Sequence, residues 1–270
     1  MIQSTAMQSV ASVYGPVTSW RFGRSLGIDP IGAVSTCSFN CVYCQLGEIK
    51  HQQGDRRVFV STQQIQQDLV SVAPWDVDVI TLSGSGEPTL ALNLGDILQM
   101  AKTLTAKPVG VLTNGSLLND ATVRAELAIA NQVSIKLDAI SSDQFRRVNR
   151  PTAEMSLPEI WTGLYLFRQD YQGHLAVQTM LLTPWDEALQ ERYVRWMQTL
   201  LPDEIQLNTP TRPKPLTYQL NARGNHSLDR TYPTRMLKTV DATVLKQFGD
   251  RIQSVVGVPV RYPLDTSHQP

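Results

Sequence analysis

The sequence predicts an α/β fold in which parallel strands form a partial (β/α)6 barrel with a short C-terminal extension. Short apolar runs rich in β-branched residues alternate with longer segments whose apolar residues recur at three- and four-residue steps. This alternation of strand and helix is typical of a parallel sheet with right-handed crossovers. About six strand–helix units fit into the 270 residues, too few for a closed eight-stranded barrel. A doubly wound open sheet is the alternative, because strand order is not readable from the sequence.

The predicted elements follow one another along a chain that we expect to form a single domain over 1–270. Strands are predicted near 32–36 and over 77–82, 108–112, 132–137, 175–182 and 204–208. Helices are predicted over 63–72, 94–105, 119–130, 155–169 and 187–200. Helix-start residues support two of them, Asp120 in the third and Asp186 before the fifth. The domain has its core at about 14–215, a basic loop at 209–238 and a C-terminal helix and strand within 239–270.

Composition and charge limit the classes of function. Lys and Arg together number 24, as do Asp and Glu, so no overall field attracts nucleic acid or an anionic membrane. The N-terminus lacks the basic start and apolar core of a signal peptide, and no run approaches the roughly 18 apolar residues of a membrane span. We therefore expect a cytoplasmic protein with no membrane partner. The odd number of cysteines argues against a disulfide framework.

All three cysteines of the chain lie within eight residues, at Cys37, Cys41 and Cys44, directly after the predicted first strand. This spacing is compatible with two kinds of metal centre. His51 would complete a Cys3His set for structural zinc, which takes four ligands. A [4Fe–4S] cluster would instead use the three thiolates and leave its fourth iron open to a ligand that is not protein. The spacing alone leaves both open.

A glycine-rich turn, Ser83-Gly-Ser-Gly-Glu-Pro88, follows the predicted strand 77–82. Gly84 and Gly86 allow backbone to approach a ligand closely, and Pro88 stiffens the turn. The Glu87 carboxylate would suit an ammonium group. An ordinary turn between strand and helix is the alternative, and the same holds at Asn114, where Asn-Gly is a strong turn signal.

The predicted strand 132–137 carries polar residues on one face. The two-residue period places Ser134, Lys136 and Asp138 on that face and apolar residues on the other. Charges on a strand that should be buried need partners. Either Lys136 and Asp138 form a structural pair, or they point into the barrel toward cofactor or substrate.

The basic loop 209–238 has a local charge near +5. Its cations are Arg212, Lys214, Arg223, Arg230, Arg235 and Lys238, against Asp229. We expect it to bind either RNA phosphates, with Arg146, Arg147 and Arg150 extending the patch, or a small anionic substrate held by Arg212. A merely solvated loop is the alternative.

Several motifs occur in an order that resembles the radical S-adenosylmethionine (SAM) enzymes. They lie at 14–16, 24–29, 37–47, 83–90 and 208–213. Together they are similar to a narrower group, the Fe–S oxidoreductases related to the wybutosine-synthesising enzymes of tRNA modification. The resemblance runs from about residue 14 to 215.

The resemblance implies a partial TIM barrel that holds a [4Fe–4S] cluster on the three cysteines and SAM on the open iron. Reductive cleavage of SAM would give a 5′-deoxyadenosyl radical that abstracts hydrogen from an RNA base or a small anionic substrate. The electron would come from an external donor such as flavodoxin or ferredoxin. The implied cofactor-binding residues are Tyr43, which would pack near the adenine, Gly84, Gly86, Glu87, Pro88, Asn114, Ser134, Lys136 and Asp138. Candidate catalytic residues are Lys136, Asp138 and Arg212.

Two other functions stay open at this point. One is an activase that installs a glycyl radical on a partner enzyme, and the other is a non-enzymatic Cys3His zinc module. Wyosine formation itself is not expected, because relatives that carry it out bind a second cluster and this chain has no cysteines to spare. The same shortage excludes a methyl-carrying cysteine.

Overall fold

The computed structural model describes residues 11–224 and 231–263. Its strands are β1 (Val13–Ser19), β2 (Gly23–Ile28), β3 (Thr36–Cys37), β4 (His51–Gln52), β5 (Val79–Leu82), β6 (Val109–Thr113), β7 (Gln132–Lys136), β8 (His174–Met180), β9 (Glu204–Asn208), β10 (Lys214–Pro215), β11 (Thr234–Arg235) and β12 (Val260–Arg261). Its α-helices are α1 (Thr62–Ser71), α2 (Leu94–Thr105), α3 (Ala121–Leu127), α4 (Ser142–Val148), α5 (Leu157–Asp170), α6 (Glu187–Leu200) and α7 (Ala242–Val256).

The main sheet has eight strands in the order β1-β2-β5-β6-β7-β8-β9-β12. β1 is antiparallel to β2, and the other neighbours are parallel. From β2 to β9 the order never reverses, whereas a doubly wound sheet has a reversal point. Right-handed crossovers in one direction place the helices on a single face, and the sheet curls with its other face inward. The partial (β/α)6 barrel is confirmed.

Burial follows the two-residue period of the strands. In β7, Val133 and Ile135 face the helices and are fully buried, while Ser134 and Lys136 lie on the opposite, concave face. Helix starts follow capping chemistry: the Asp120 side chain accepts a hydrogen bond from the Thr122 backbone N–H at 2.7 Å. The apolar core therefore lies between sheet and helices, and polar groups are left on the concave face.

The predicted strand near 32–36 is wrong, because β2 is the first parallel strand of the barrel. The Asp29 side chain ends β2 by accepting hydrogen bonds from the backbone N–H groups of Ile31, at 3.0 Å, and Gly32, at 3.1 Å. Thr36 instead pairs with His51 in a small separate sheet of β3 and β4. The segment 23–28 gives a weak strand signal because glycine and polar residues interrupt its apolar positions.

Helix α4 has no counterpart among the predicted elements. The Ser141 hydroxyl caps it by accepting from the Gln144 backbone N–H at 3.2 Å. Among its own residues only Phe145 is buried, so the helix shows no apolar period in the sequence. The predicted helices 94–105 and 187–200 and the strand 204–208 match α2, α6 and β9 residue for residue.

The C-terminal extension adds α7 and β12 to the domain, as predicted. β12 pairs with β9, with Arg261 opposite Gln206, and so forms the sheet edge opposite β1. The segment 209–238 contains the paired strands β10 and β11 and a single 3-10 turn, and its residues Asp229 and Arg230 lie outside the described ranges. None of the described helices is both long and apolar enough to cross a membrane.

Candidate functional site

The three cysteines lie on a loop at the carboxyl end of the barrel strands, which we call the cysteine loop (residues 36–47). One side of the loop is held by the turn after β5, since the Glu87 backbone N–H donates to the Thr36 carbonyl at 3.1 Å. The other side is held by the end of α4, since the Val42 N–H donates to the Val148 carbonyl at 2.9 Å. Parallel strands end at this edge of a barrel, which is where such folds place their chemistry.

Amide groups donate hydrogen bonds to two of the sulfur atoms. The Cys37 Sγ accepts from the Phe39 backbone N–H at 3.4 Å and from the Asn114 Nδ2 at 3.6 Å. The Cys41 Sγ accepts from the Asn149 Nδ2 at 3.6 Å. Such N–H···S contacts favour the thiolate and tune iron–sulfur centres. Asn149 is not among the predicted site residues, and its place two residues before a proline at a short helix end carries no signal for this role.

The thiols lie close enough to oppose one another's ionisation. Burial, with the neighbouring Glu87 carboxylate and the other two thiols, raises the pKa of Cys37 well above its usual value. Burial raises the pKa of Cys41 to about 11, although Lys136 opposes this shift. A metal centre would supply the positive charge that three thiolates need. The donor set of three thiols with N–H···S contacts therefore fits an iron–sulfur cluster.

The arrangement also bears on the zinc alternative. His51 is exposed on β4. Among the residues that the structure describes, no three His, Cys, Asp or Glu side chains are grouped for a single metal ion. In a [4Fe–4S] cluster each thiolate binds a different iron, so its ligands stand farther apart than those of one ion.

The glycines of the turn after β5 are needed for protein contacts. A Cβ at Gly86 would clash with the Thr36 carbonyl oxygen, and Gly84 has φ +150° with Asp29 packed against it. The turn thus seats the cysteine loop and the end of β2, whereas the sequence suggested that the glycines open space for a ligand. Pro88 begins a 3-10 turn over Pro88–Leu90.

The Glu87 carboxylate is buried and joins the ends of β5 and β6. Its Oε1 accepts from the Thr89 backbone N–H at 3.1 Å, the Thr89 hydroxyl at 2.8 Å and the Thr113 hydroxyl at 2.6 Å. Its Oε2 accepts from the Asn114 backbone N–H at 2.7 Å. Burial raises the pKa of Glu87, while these hydrogen bonds oppose the rise. A carboxylate has about four acceptor sites, two on each oxygen, so the remaining capacity lies on Oε2.

The Asp138 carboxylate, also buried, connects three elements. Its Oδ2 accepts from the Tyr43 hydroxyl and from the Asn149 Nδ2, the latter at 2.7 Å. Its Oδ1 accepts from the Met180 backbone N–H at 2.8 Å. Asp138 therefore fixes the cysteine loop and the end of α4 against β8. Its contacts are to neutral donors, so it is more than one half of a Lys136–Asp138 pair.

The Lys136 ammonium lies on the same concave face, 5.1 Å from the centre of the Tyr43 ring. Burial alone would lower the pKa of Lys136, but Cys41, Asp138 and the other two thiols raise it above its usual value. Lys136 is thus a cation beside the cysteines, and Ser134 lies buried two residues earlier on its face. Lys136, Asp138 and Tyr43 come together as predicted, whereas Arg212 contacts the end of the cysteine loop instead of this group.

The described part of segment 209–238 packs against the cysteine loop. The Gln219 backbone N–H donates to the Leu46 carbonyl at 2.8 Å, and the Arg212 guanidinium donates to the Gln45 Oε1 at 3.1 Å. A Cβ at Gly47, where φ is +87°, would clash with the Thr217 carbonyl oxygen. The segment therefore covers the loop.

The basic patch predicted for this segment is partly wrong. Arg223 is buried, and its guanidinium pairs with the fully buried Asp29 at 2.7 Å. Lys214 is also buried, and burial lowers its pKa. Arg235 and Lys238 are exposed or half-buried on the surface. Sequence charge alone does not distinguish cations that face solvent from those folded inward.

A comparison with protein families decides the class of the protein. The family model described as Radical SAM superfamily matches residues 33–184, which contain the cysteine loop and β5 to β8. The chain belongs to this superfamily. Radical SAM proteins use a [4Fe–4S] cluster and SAM.

Two curated relatives carry the name UPF0026 protein. Over 254 residues the chain is 56% identical to UPF0026 protein slr1464 of Synechocystis sp., covering 93% of this chain and 95% of that protein. Over 206 residues it is 34% identical to UPF0026 protein MJ1312 of Methanocaldococcus jannaschii, covering 74% of this chain and 64% of that protein. The narrower resemblance to wybutosine-synthesising enzymes stays a prediction.

Among solved structures, this radical SAM protein is similar to Streptococcus suis SuiB bound to S-adenosylmethionine. The TM-score is 0.61 at 13% identity, with 86% of this chain matched. The match spans 49% of SuiB, about half of its length. At this identity the likeness concerns the fold, and it agrees with the curled, mostly parallel sheet of β2 to β9.

Proposed function

We propose that this radical SAM protein is an enzyme that holds its cluster on Cys37, Cys41 and Cys44 and acts on a small anionic substrate inside the half-barrel. The observation that carries the proposal is the cysteine loop itself. Its thiols receive N–H···S hydrogen bonds from two different strand-end or helix-end amides, Asn114 and Asn149. Such contacts suit thiolates that ligate iron.

The protein's own residues would prepare the site. The Glu87 Oε2 would accept from the SAM ammonium, with Gly84, Gly86 and Pro88 shaping the turn that presents it. Asn114 would hold the Cys37 thiolate in place. When bound, the cluster and SAM supply reductive cleavage of the sulfonium to a 5′-deoxyadenosyl radical that abstracts hydrogen.

The concave face would orient the remaining part of SAM and the substrate. Lys136 supplies a positive charge beside the cysteines, and Asp138 positions the Tyr43 ring through its hydroxyl. Ser134 contributes a hydroxyl to the same face. The segment over the cysteine loop would limit access of water and oxygen, as radical chemistry requires.

A small substrate is favoured over RNA by the placement of the basic residues. Of the cations in segment 209–238, Lys214 and Arg223 are buried, so fewer are available to follow a nucleic-acid backbone. An external one-electron donor, such as flavodoxin or ferredoxin, would reduce the cluster.

Anaerobic reconstitution followed by metal and product analysis tests this function. We expect about four iron and four sulfide per chain, because three thiolates suffice for one cluster. With dithionite and SAM the protein should slowly form 5′-deoxyadenosine even without substrate, detectable by chromatography. Stoichiometric zinc without iron after reconstitution would refute the proposal.

A further inference from the structure

The two edges of the main sheet meet at Trp20. The guanidinium of Arg261, on β12, donates to the Trp20 carbonyl and lies 5.6 Å from the centre of its ring. The guanidinium of Arg21, in the turn between β1 and β2, lies 4.8 Å from the same ring. Two arginines from opposite edges of the sheet are therefore brought together where the half-barrel curls around.

Arg21 has no counter-charge in this position. Its Nε is buried without a hydrogen-bond partner, and its guanidinium makes no ion pair with any described residue. Burial, followed by repulsion from Arg212 and Arg261, lowers the pKa of Arg21 to about 10. Buried cations are normally paired, because leaving water costs free energy that a partner must offset. We call Arg21, Arg212 and Arg261 the arginine group.

Arg21 and Arg261 have one carboxylate between them among the described residues. The Glu204 Oε2 lies 3.2 Å from the Arg261 guanidinium, and its Oε1 accepts from the Gln206 side chain at 2.6 Å. These two guanidinium groups and one carboxylate leave an excess positive charge, to which the nearby Arg212 adds its own field. Arg261 keeps 44% of its side chain exposed, so the group is accessible from solution.

A row of polar side chains joins the arginine group to the cysteines. In the register of the sheet, Lys136 lies beside Gln178, Gln178 beside Gln206, and Gln206 beside Arg261. The Gln178 amide donates to the Gln206 Oε1 at 2.9 Å, which confirms that both lie on one face. At about 4.8 Å between strands, the row spans roughly 14 Å.

We propose that the arginine group binds the phosphate or carboxylate of an elongated small substrate. The Gln178 and Gln206 amides contact its polar middle, and its reacting carbon lies near Lys136 at the cysteines. Guanidinium forks fit phosphate and carboxylate oxygens in pairs, which a compact ammonium does not. This inference rests on the proposed function, and it assigns the place and the charge of the substrate.

Thermal unfolding of the reconstituted protein with simple anions tests the site. The probes are inorganic phosphate, succinate and a single-stranded RNA oligonucleotide, each compared with chloride at equal ionic strength. Phosphate or succinate should raise Tm in a saturable way, because a ligand of the folded state stabilises it. Which of the two protects more identifies the anionic group. Protection by the RNA alone, or by none of the probes, would overturn the proposal.

Variants locate the binding. Arg21→Gln should weaken the affinity for the protecting anion by about tenfold to a hundredfold, measured by titration calorimetry, because the anion then lacks one charge-assisted hydrogen-bond donor. Without the anion, its Tm should equal or exceed that of the wild type, since an unpaired cation is removed. Arg195→Gln is the matched control, because Arg195 is exposed on α6 and paired with Glu191. It should bind the anion as the wild type does.

Other results bear on the site or on the function separately. If Arg21→Gln fails to fold, Arg21→Lys keeps the charge, and it should still bind the anion more weakly because the guanidinium fork is gone. Unchanged affinity in both variants would refute the site. Failure of the proposed function has a different signature: a wild type that binds no iron or forms no 5′-deoxyadenosine.

Discussion

The cysteine end of the barrel and the arginine group differ in how their buried charges are partnered. At the cysteine end, Glu87 and Asp138 each accept hydrogen bonds from several protein donors. In the arginine group, Arg21 has no such partner among the described residues. A charge with its partners built in holds one arrangement of the chain, whereas a charge without them leaves its stabilisation to a ligand. The first region is therefore a prepared frame, and the second is a place to be filled.

Removing any cysteine ligand should have the largest effect on this comparison. Cys37→Ala, Cys41→Ala or Cys44→Ala should abolish both bound iron and 5′-deoxyadenosine formation, because two thiolates are left to hold the cluster. Iron analysis after reconstitution measures this. His51→Ala is the control and should keep its iron. Absence of metal in the His51 variant would instead favour the Cys3His zinc site.

Breaking a fully partnered charge should lower stability strongly. Asp29→Ala leaves the buried Arg223 without its ion pair, and breaking a buried pair costs about 3–5 kcal/mol of the free energy of unfolding. Urea unfolding followed by circular dichroism measures the difference. Asp76→Ala removes the exposed partner of Arg24 and should cost less than about 0.5 kcal/mol. Equal effects of the two changes would contradict the distinction between paired and unpaired burial.

The Glu87 carboxylate should have an intermediate effect, on SAM binding. Glu87→Ala should weaken SAM affinity by about 1.5–3 kcal/mol, the value of a hydrogen bond to a charged group. Equilibrium binding of SAM to the reconstituted protein measures it. Thr113→Val removes one donor to the same carboxylate but leaves Oε2 in place, so it should retain most of the affinity. An unchanged affinity in the Glu87 variant would remove Glu87 from the SAM site.

The smallest effect is expected at the surface cations Arg235 and Lys238. Changing both to Ala should leave the weak RNA binding of the wild type and its salt dependence unchanged, because we expect the substrate to bind inside the barrel. Fluorescence anisotropy at several salt concentrations measures both. A salt slope that falls by about 0.7 for each phosphate no longer neutralised would indicate binding to a single strand and favour the RNA alternative.

Much of the fold was predictable because its signals are local. The apolar periods of α2, α6 and β9 lie within single segments, and the predicted bounds match the structure. β2 escapes prediction because its glycine and polar positions hide the strand, which is stabilised by pairing with β1 and β5 on both sides. Helix α4 escapes it because the helix buries only Phe145 among its own residues. In both cases tertiary contacts outweigh a weak local preference.

The sequence by itself determined the cysteine set, the turn at 83–88 and the polar face of β7, since each depends on spacing within a few residues. Only the tertiary structure decided which charges are paired. Asp29 and Arg223 lie 194 residues apart in the chain, and Trp20 and Arg261 lie 241 residues apart. A pair so distant leaves no local pattern, because its partners meet only when the sheet curls. For that reason the burial of Arg223 and the unpartnered Nε of Arg21 emerge from the fold alone.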